Sequence, residues 1–381
     1  SVESRGLGDV YKRQQFHRGV ARVSRAWKMA RNHRLATVAT ATRRFATNFF
    51  LIVAFTFLFH RIAAAQNNET LRVGVIGLDT SHVPAFTKSF NEEPANPVMQ
   101  NCRVVAAYPY GSQTIESSYS RIPKYTNQLK EMGVEIVDSI DDLLERVDCV
   151  LLETNDGKPH LEQSLQVFRA GKPVFIDKPV ASNLAEVVAI YRAAEHFGVP
   201  MFSSSSLRFS EGAQSIRGGK IGNVLGCNAY SPAATEPSHT DLFWYGIHGV
   251  ESLYTCMGVG CQRVSHTSTD GRELAVGVWS DGRIGTFHGM RDGKSGYGGT
   301  AFGTKSISPI GDYGGYKPLV IEIAKFFRTK QSPIDPKETI ELYAFMEAAA
   351  ESVKRDGKAV PLSEVMEAAE NKADKLLQGR L

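Results

Sequence analysis

Apolar positions along this chain fall into two regimes. In the first, short continuous apolar runs recur: Leu71-Arg72-Val73-Gly74-Val75-Ile76 ahead of Gly77, then Arg103–Ala107, Glu135–Val137, Cys149–Glu153, Pro173–Ile176 and Val199–Ser203. Helical patterns separate them. One begins near Val83-Pro84, a second is opened by Pro159 and closed by Gly171, and a third runs from an Asn183/Glu186 capping-box pattern to Gly198. Proline presets the backbone angle of a first helical turn, glycine accepts the left-handed geometry of a last one, and an Asn–Glu pair satisfies the orphan amides at a start. Strands buried on both faces read as unbroken apolar runs. Their alternation with helices predicts an α/β fold with a doubly wound parallel sheet of the Rossmann kind over 70–206.

After Ser206 the pattern changes. Val224–Ser231 alternates, and Leu274–Trp279 and Arg283–Gly289 flank Asp281-Gly282, a two-residue hairpin signal. Arg291–Lys317 is rich in glycine, carries Tyr297, Tyr313 and Tyr316, and reads as a long surface loop or lid. Helical patterns return at Leu319–Arg328 and Pro336–Arg355. These elements predict an α+β domain over 207–381 with a mostly antiparallel sheet and C-terminal helices; no internal repeat is present.

The first residues modify this picture. Ser4–Gln14 (SRGLGDVYKRQ) back-translates into a string resembling a sequencing-library transposase adapter, so 1–28 is expected to be upstream artefact with the start at Met29. From there Arg31, Arg34, Arg43 and Arg44 precede the apolar run Phe49–Phe59 and then Ala63-Ala64-Ala65, the layout of a signal peptide over 29–65. The apolar run is shorter than the roughly 20 residues that cross a bilayer. The expectation is an exported, periplasmic or extracytoplasmic protein with no stable membrane span after cleavage. A retained anchor and twin-arginine export through Arg43-Arg44 are the alternatives.

The first 65 residues hold 12 of the 44 Lys and Arg but 2 of the 40 Asp and Glu, so the formal charge moves from +4 to −6 without them. The remainder has no basic patch to neutralise phosphates, which argues against nucleic acid as a partner. Cys102, Cys149, Cys227, Cys256 and Cys261 show neither CxxC nor zinc spacing; they read as buried thiols, with a Cys256–Cys261 disulfide as the alternative in an exported protein. No metal ligand set is apparent.

The candidate chemistry starts where the first strand ends. A dinucleotide turn wants Gly-x-Gly-x-x-Gly, and the chain has Gly77-Leu78-Asp79-Thr80-Ser81-His82. The Thr80 and Ser81 hydroxyls and the free amides of the following helix suit phosphate, with His82 adding a charge-dependent contact; helix capping by Asp79 or Thr80 is the alternative. The second strand runs into Tyr108-Pro109-Tyr110-Gly111-Ser112 and offers no acid for ribose hydroxyls. NADP, an unusual binding mode, or no dinucleotide all remain open at this point.

Farther on stand Thr154-Asn155, His160, Ala170-Gly171-Lys172 and Asp177-Lys178-Pro179. This ordered set resembles the Gfo/Idh/MocA oxidoreductase family, well over Leu71–Ser206 and loosely beyond. The resemblance implies NAD or NADP as cofactor, contacts from Gly77, Thr80, Ser81, His82, Thr154, Asn155, His160 and Asp177, and Lys178 at the junction of nicotinamide and substrate, where its ammonium polarises a hydroxyl or carbonyl. Trp244-Tyr245-Gly246-Ile247-His248-Gly249-Val250-Glu251 resembles the family's catalytic helix. It implies His248 as acid/base and Trp244, Tyr245 and Glu251 toward substrate, although Trp244 stands where the family places an acid. Plainer readings exist for each: a solvated Lys178, a helix-start His160, a core His248 tied to Glu251, and aromatic residues that only fill the core.

The resulting expectation is an NAD(P)-dependent oxidoreductase acting on a sugar or sugar-like alcohol or carbonyl, a homo-oligomer by resemblance. A carbohydrate lyase or hydrolase on the same scaffold, or a non-catalytic binding protein, is the rival.

Overall fold

The computed structural model describes residues 26–31, a short helix, and 69–381. The chain divides into two compact units, Ser1–Asn68 and Glu69–Leu381. The adapter and signal-peptide readings fall, apart from 26–31, outside the described residues. Among the described residues no helix is long and apolar enough to cross a membrane.

The second unit begins with a parallel sheet of β1 (Leu71–Ile76), β2 (Cys102–Tyr108), β3 (Glu135–Ile136), β4 (Cys149–Leu152), β5 (Val174–Ile176) and β6 (Met201–Ser203), in the order β3-β2-β1-β4-β5-β6. The alternation of a strand buried on both sides is visible in β4. Cys149 and Leu151 join one core with α1 (His82–Phe90) and α2 (Ile122–Glu131), while Val150 and Leu152 join another with α3 (Ile140–Arg146), α4 (His160–Arg169) and α5 (Leu184–Phe197). Asn183 caps α5 by accepting the Glu186 amide at 3.0 Å, and Gly198 ends it at φ +64°. Strand order reverses between β1 and β4, which opens a crevice at their C-terminal ends.

After a short helix, α6 (Glu211–Arg217), the chain builds a seven-stranded sheet. It comprises β7 (Val224–Pro232), β8 (Cys261–Ser268), β9 (Arg272–Trp279), β10 (Ile284–Met290), β11 (Gly298–Gly303), β12 (Ile307–Pro309) and β13 (Val360–Pro361), in the order β12-β11-β7-β10-β9-β8-β13. All neighbours are antiparallel except β7 and β10. The Asp281-Gly282 turn joins β9 to β10 with Gly282 at φ +85°, as its sequence predicts. One face of this sheet packs on the wholly buried α7 (Ile247–Met257) through Ala229, Ala275 and Phe287. The register sets Tyr230, Leu274, Ile284 and Phe302 on the other face, all exposed.

Two expectations need correction. Arg291–Lys317 is only partly loop, because it contains β11 and β12 at the sheet's edge. Its glycines are needed for sheet packing: a Cβ on Gly299 would collide with the Asn228 backbone of β7. Cys256 and Cys261 are buried free thiols, so the disulfide alternative is set aside.

Of the last three helices, α9 (Pro336–Lys354) and α10 (Leu362–Leu377) extend the core shared with α5 and the second sheet. By contrast α8 (Lys317–Thr329) returns to the first sheet, where Leu319, Ile323 and Phe327 join the core of β1 and α1. That return carries the Tyr-bearing segment before α8 to the mouth of the crevice.

Asn183→Ala removes the α5 cap and is expected to cost about 1 kcal/mol, seen as a lower urea midpoint at unchanged slope. An unchanged midpoint would contradict the role of the cap.

Candidate active site

The turn after β1 is closed by backbone contacts. Gly77 sits at φ +93°, where a Cβ would collide with Thr154, and its amide donates to Tyr108 O at 3.1 Å while Leu78 N donates to Tyr110 O at 2.7 Å. Asp79 is fully buried and turns inward: Oδ2 accepts from Ser112 N and Oδ1 from Asn155 N, both at 2.9 Å. Burial raises its pKa to about 6 despite these two donors. The carboxyl that replaces the second fingerprint glycine is therefore no obstacle at the phosphate position; it ties together the loops after β1, β2 and β4.

Beyond this tie lies a cleft of about 340 Å³, lined at one end by Thr80, Ser81, His82, Ser117, Arg121 and Asn155. Ser81 is the N-cap residue of α1 and makes no side-chain cap bond, so this wall combines a helix start with a guanidinium. At the other end stand Lys178, His248, Trp244, Tyr245 and three tyrosines, Tyr297, Tyr313 and Tyr316.

Lys178 and His248 come from different halves of the chain and meet in this cleft. Val180 N donates to the Tyr343 hydroxyl at 2.7 Å, which pins the segment carrying Lys178 to α9. Lys178 Nζ lies 3.9 Å from Asp177 Oδ2, and His82 Nδ1 lies 2.9 Å from the same oxygen. Burial pushes Asp177 up, but His82 and Lys178 outweigh it and hold the carboxylate down at about 2. His248 Nδ1 is 2.7 Å from Ser205 Oγ, leaving Nε2 as the ring nitrogen available to the cleft. Burial, then the positive charges of Lys178 and His82, push its pKa well below the ordinary imidazole value. The result is a neutral base held beside a cation.

Several expected site residues take other roles. His160 does not line the cleft: wholly buried, its ring nitrogens face Thr154 O at 2.7 Å and Val180 O at 3.0 Å, so it staples the β4 loop to the β5 loop. Gly77, Thr154 and Asp177 lie behind the lining, and Asn155 reaches it while its Nδ2 donates to Ser118 Oγ at 2.8 Å. Glu251 is withdrawn from substrate, because its carboxylate pairs with buried Arg208, which also donates to Glu338 at 2.6 Å. Nor is Glu251 the partner of His248, since that place belongs to Ser205. Ser117, Arg121, Ser205 and the three tyrosines were missed from sequence; they sit in polar or glycine-rich stretches without fixed spacing.

Comparison with known proteins bears on this geometry. Residues 71–204 match the family model of Gfo/Idh/MocA, described as an oxidoreductase family with an NAD-binding Rossmann fold. Over those residues the chain is similar to the Gfo/Idh/MocA family. An inositol 2-dehydrogenase from Serratia proteamaculans is 27% identical over 184 residues, 45% of this chain and 50% of that protein. An uncharacterized oxidoreductase from Streptococcus pneumoniae is 29% identical over 105 residues, 26% of this chain and 28% of that one. The chain thus spans half or less of the length of these relatives. The scyllo-inositol dehydrogenase of Lactobacillus casei, solved with bound NAD(H) and scyllo-inositol, superposes at TM-score 0.62 with 16% identity, covering 77% of this chain and all of that one. At that identity the likeness concerns the fold.

The parallel-sheet half offers groups suited to a dinucleotide despite its altered fingerprint. Thr80 and Ser81 at the start of α1, with Arg121 in the same lining, are suited in charge and donors to a pyrophosphate, and Asp79 is spent inside the fold. No acid follows β2, so the ribose contact usual in such domains has no counterpart here.

Asp79→Gly restores the fingerprint glycine yet leaves two buried amides without an acceptor. It is expected to destabilise the protein by roughly 2–4 kcal/mol without tightening nucleotide binding, as measured by denaturation and calorimetry. A variant of native stability with tighter binding would refute the role given to Asp79.

Proposed function

We propose that this protein is an NAD(P)-dependent oxidoreductase that interconverts a hydroxyl and a carbonyl on a sugar or cyclic polyol. The observation that carries this reading is the meeting of Lys178 and His248 in one cleft whose far wall is built for phosphate. When bound, NAD or NADP supplies hydride acceptance or donation, with Thr80, Ser81 and Arg121 holding its pyrophosphate.

The chain's own groups do the rest. His248, kept neutral by burial and nearby positive charge, takes the hydroxyl proton at Nε2, while Ser205 fixes the ring through Nδ1. Lys178 stabilises the developing oxyanion; its side chain is buried and its ammonium is held near Asp177. Trp244, Tyr245, Tyr297 and Tyr313 in the lining offer aromatic faces against which a sugar ring stacks. The inositol dehydrogenase likeness supports a polyhydroxylated ring as the substrate class. Export of such an enzyme requires a cofactor that stays bound.

We also infer a homo-oligomer paired through the outer face of the second sheet, where Tyr230, Leu274, Ile284 and Phe302 form an apolar patch in register. Ile284→Glu is expected to convert the oligomer to monomer in light scattering; a monomeric wild type would refute this.

Lys178→Met and His248→Ala are each expected to lower kcat/KM for polyol oxidation by about 10²–10⁴, with nucleotide Kd changed far less. Undiminished turnover in both variants would refute the assignment, and turnover of sugars with no nicotinamide nucleotide bound or added would favour the lyase reading.

A further inference from the structure

Just behind the cleft wall the sheet brings together three side chains that the reaction above does not fully use. Glu153 directly follows β4 and Asp177 directly follows β5, and these strands are neighbours with Leu152 opposite Ile176. His82, the first residue of α1, comes over from β1 on the other side of β4. One ligating atom from each of His82, Glu153 and Asp177 lies within 4.8 Å of the others. All three are buried, the two acids completely.

A second observation shows that this cluster lacks something. Neither oxygen of Glu153 has a hydrogen-bond partner, while the neighbouring Asp177 Oδ2 faces His82 Nδ1 at 2.9 Å and Lys178 Nζ at 3.9 Å. Burying a carboxyl group without a partner is costly. The other buried acids among the described residues are all engaged: Asp79 by two amides, Asp156 by Ser112, Glu251 and Glu338 by Arg208, and Glu273 by His266 and Arg291. Glu153 alone of these has neither hydrogen bond nor ion pair.

We propose that His82, Glu153 and Asp177 form a site for one divalent transition-metal ion. One imidazole nitrogen and two carboxylates suit Mn²⁺, Fe²⁺ or Zn²⁺. Three protein ligands leave at least one coordination position open. His82 and Lys178 both line the cleft, so that position faces the cleft. The ion replaces Lys178 as the counter-charge of Asp177 and frees the ammonium for the cleft. The proposal concerns binding and does not rest on the oxidoreductase reading. The three ligands come from three separate strand ends, so no local motif announces them.

The test is elemental analysis of the full chain purified without chelator, followed by thermal melts of the EDTA-treated protein with MnCl₂ or ZnCl₂. About one Mn, Fe or Zn per chain is expected, with a rise in Tm of about 5 °C at saturating metal that Glu153→Gln and His82→Gln both lose. Absence of metal together with no shift at millimolar Mn²⁺ or Zn²⁺ would overturn the proposal. So would an equal shift in Glu153→Gln, which would put the ion elsewhere. If neither variant folds, the metal content and melts of the wild type still decide.

Discussion

The buried carboxyl of Asp79 is the constraint on which the cleft depends. By accepting the amides of Ser112 and Asn155 it binds the loops after β1, β2 and β4 into one floor, at the point where strand order reverses. A glycine fingerprint keeps this position empty so that phosphate can approach. Here the position is occupied by a side chain that points into the protein, and the approach is left to Thr80, Ser81 and the start of α1. A departure that reads in sequence as the loss of a binding motif is thereby a structural tie.

The other half of the site hangs on a similar device. Buried Arg208 joins Glu251 of α7 to Glu338 of α9 and so fixes the helix that carries His248. Such buried charge clusters rarely add net stability over an apolar core, but breaking one costs about 3–5 kcal/mol. The arrangement suits a helix whose single exposed duty is to hold one imidazole against Ser205. Tyr343 does the equivalent for Lys178 through Val180. Both side chains are therefore set by helices of the second half of the chain, on a floor made by the first.

Much of this was legible in sequence. The parallel sheet announced itself because strands covered on both faces, such as Cys149–Leu152, cannot carry polar residues, and the α5 ends were marked by Asn183 and Gly198. Lys178 was singled out by an ordered motif set and His248 by the Trp244–Glu251 segment, each through a resemblance, and the fold lines one cleft with both. What stayed hidden depends on pairing across long separations. The glycines of β11 read as loop, although close approach to β7 requires them. Glu251 shares a helix face with His248, yet its partner is Arg208, from a segment with no marked pattern. Arg121 is one arginine on a polar helix start until the fold turns it to the cleft. His160 sits in its family motif but acts by clamping two loops, a role that only its carbonyl partners reveal.

The central claim is that the floor built around Asp79 still receives a nicotinamide dinucleotide. Mass spectrometry of small molecules released on denaturing the purified protein, paired with calorimetric titration of NAD⁺ and NADP⁺, addresses it most directly. The account predicts one of the two nucleotides released at close to one per chain, or bound by the emptied protein at that ratio. Neither release nor measurable binding of either nucleotide would contradict it.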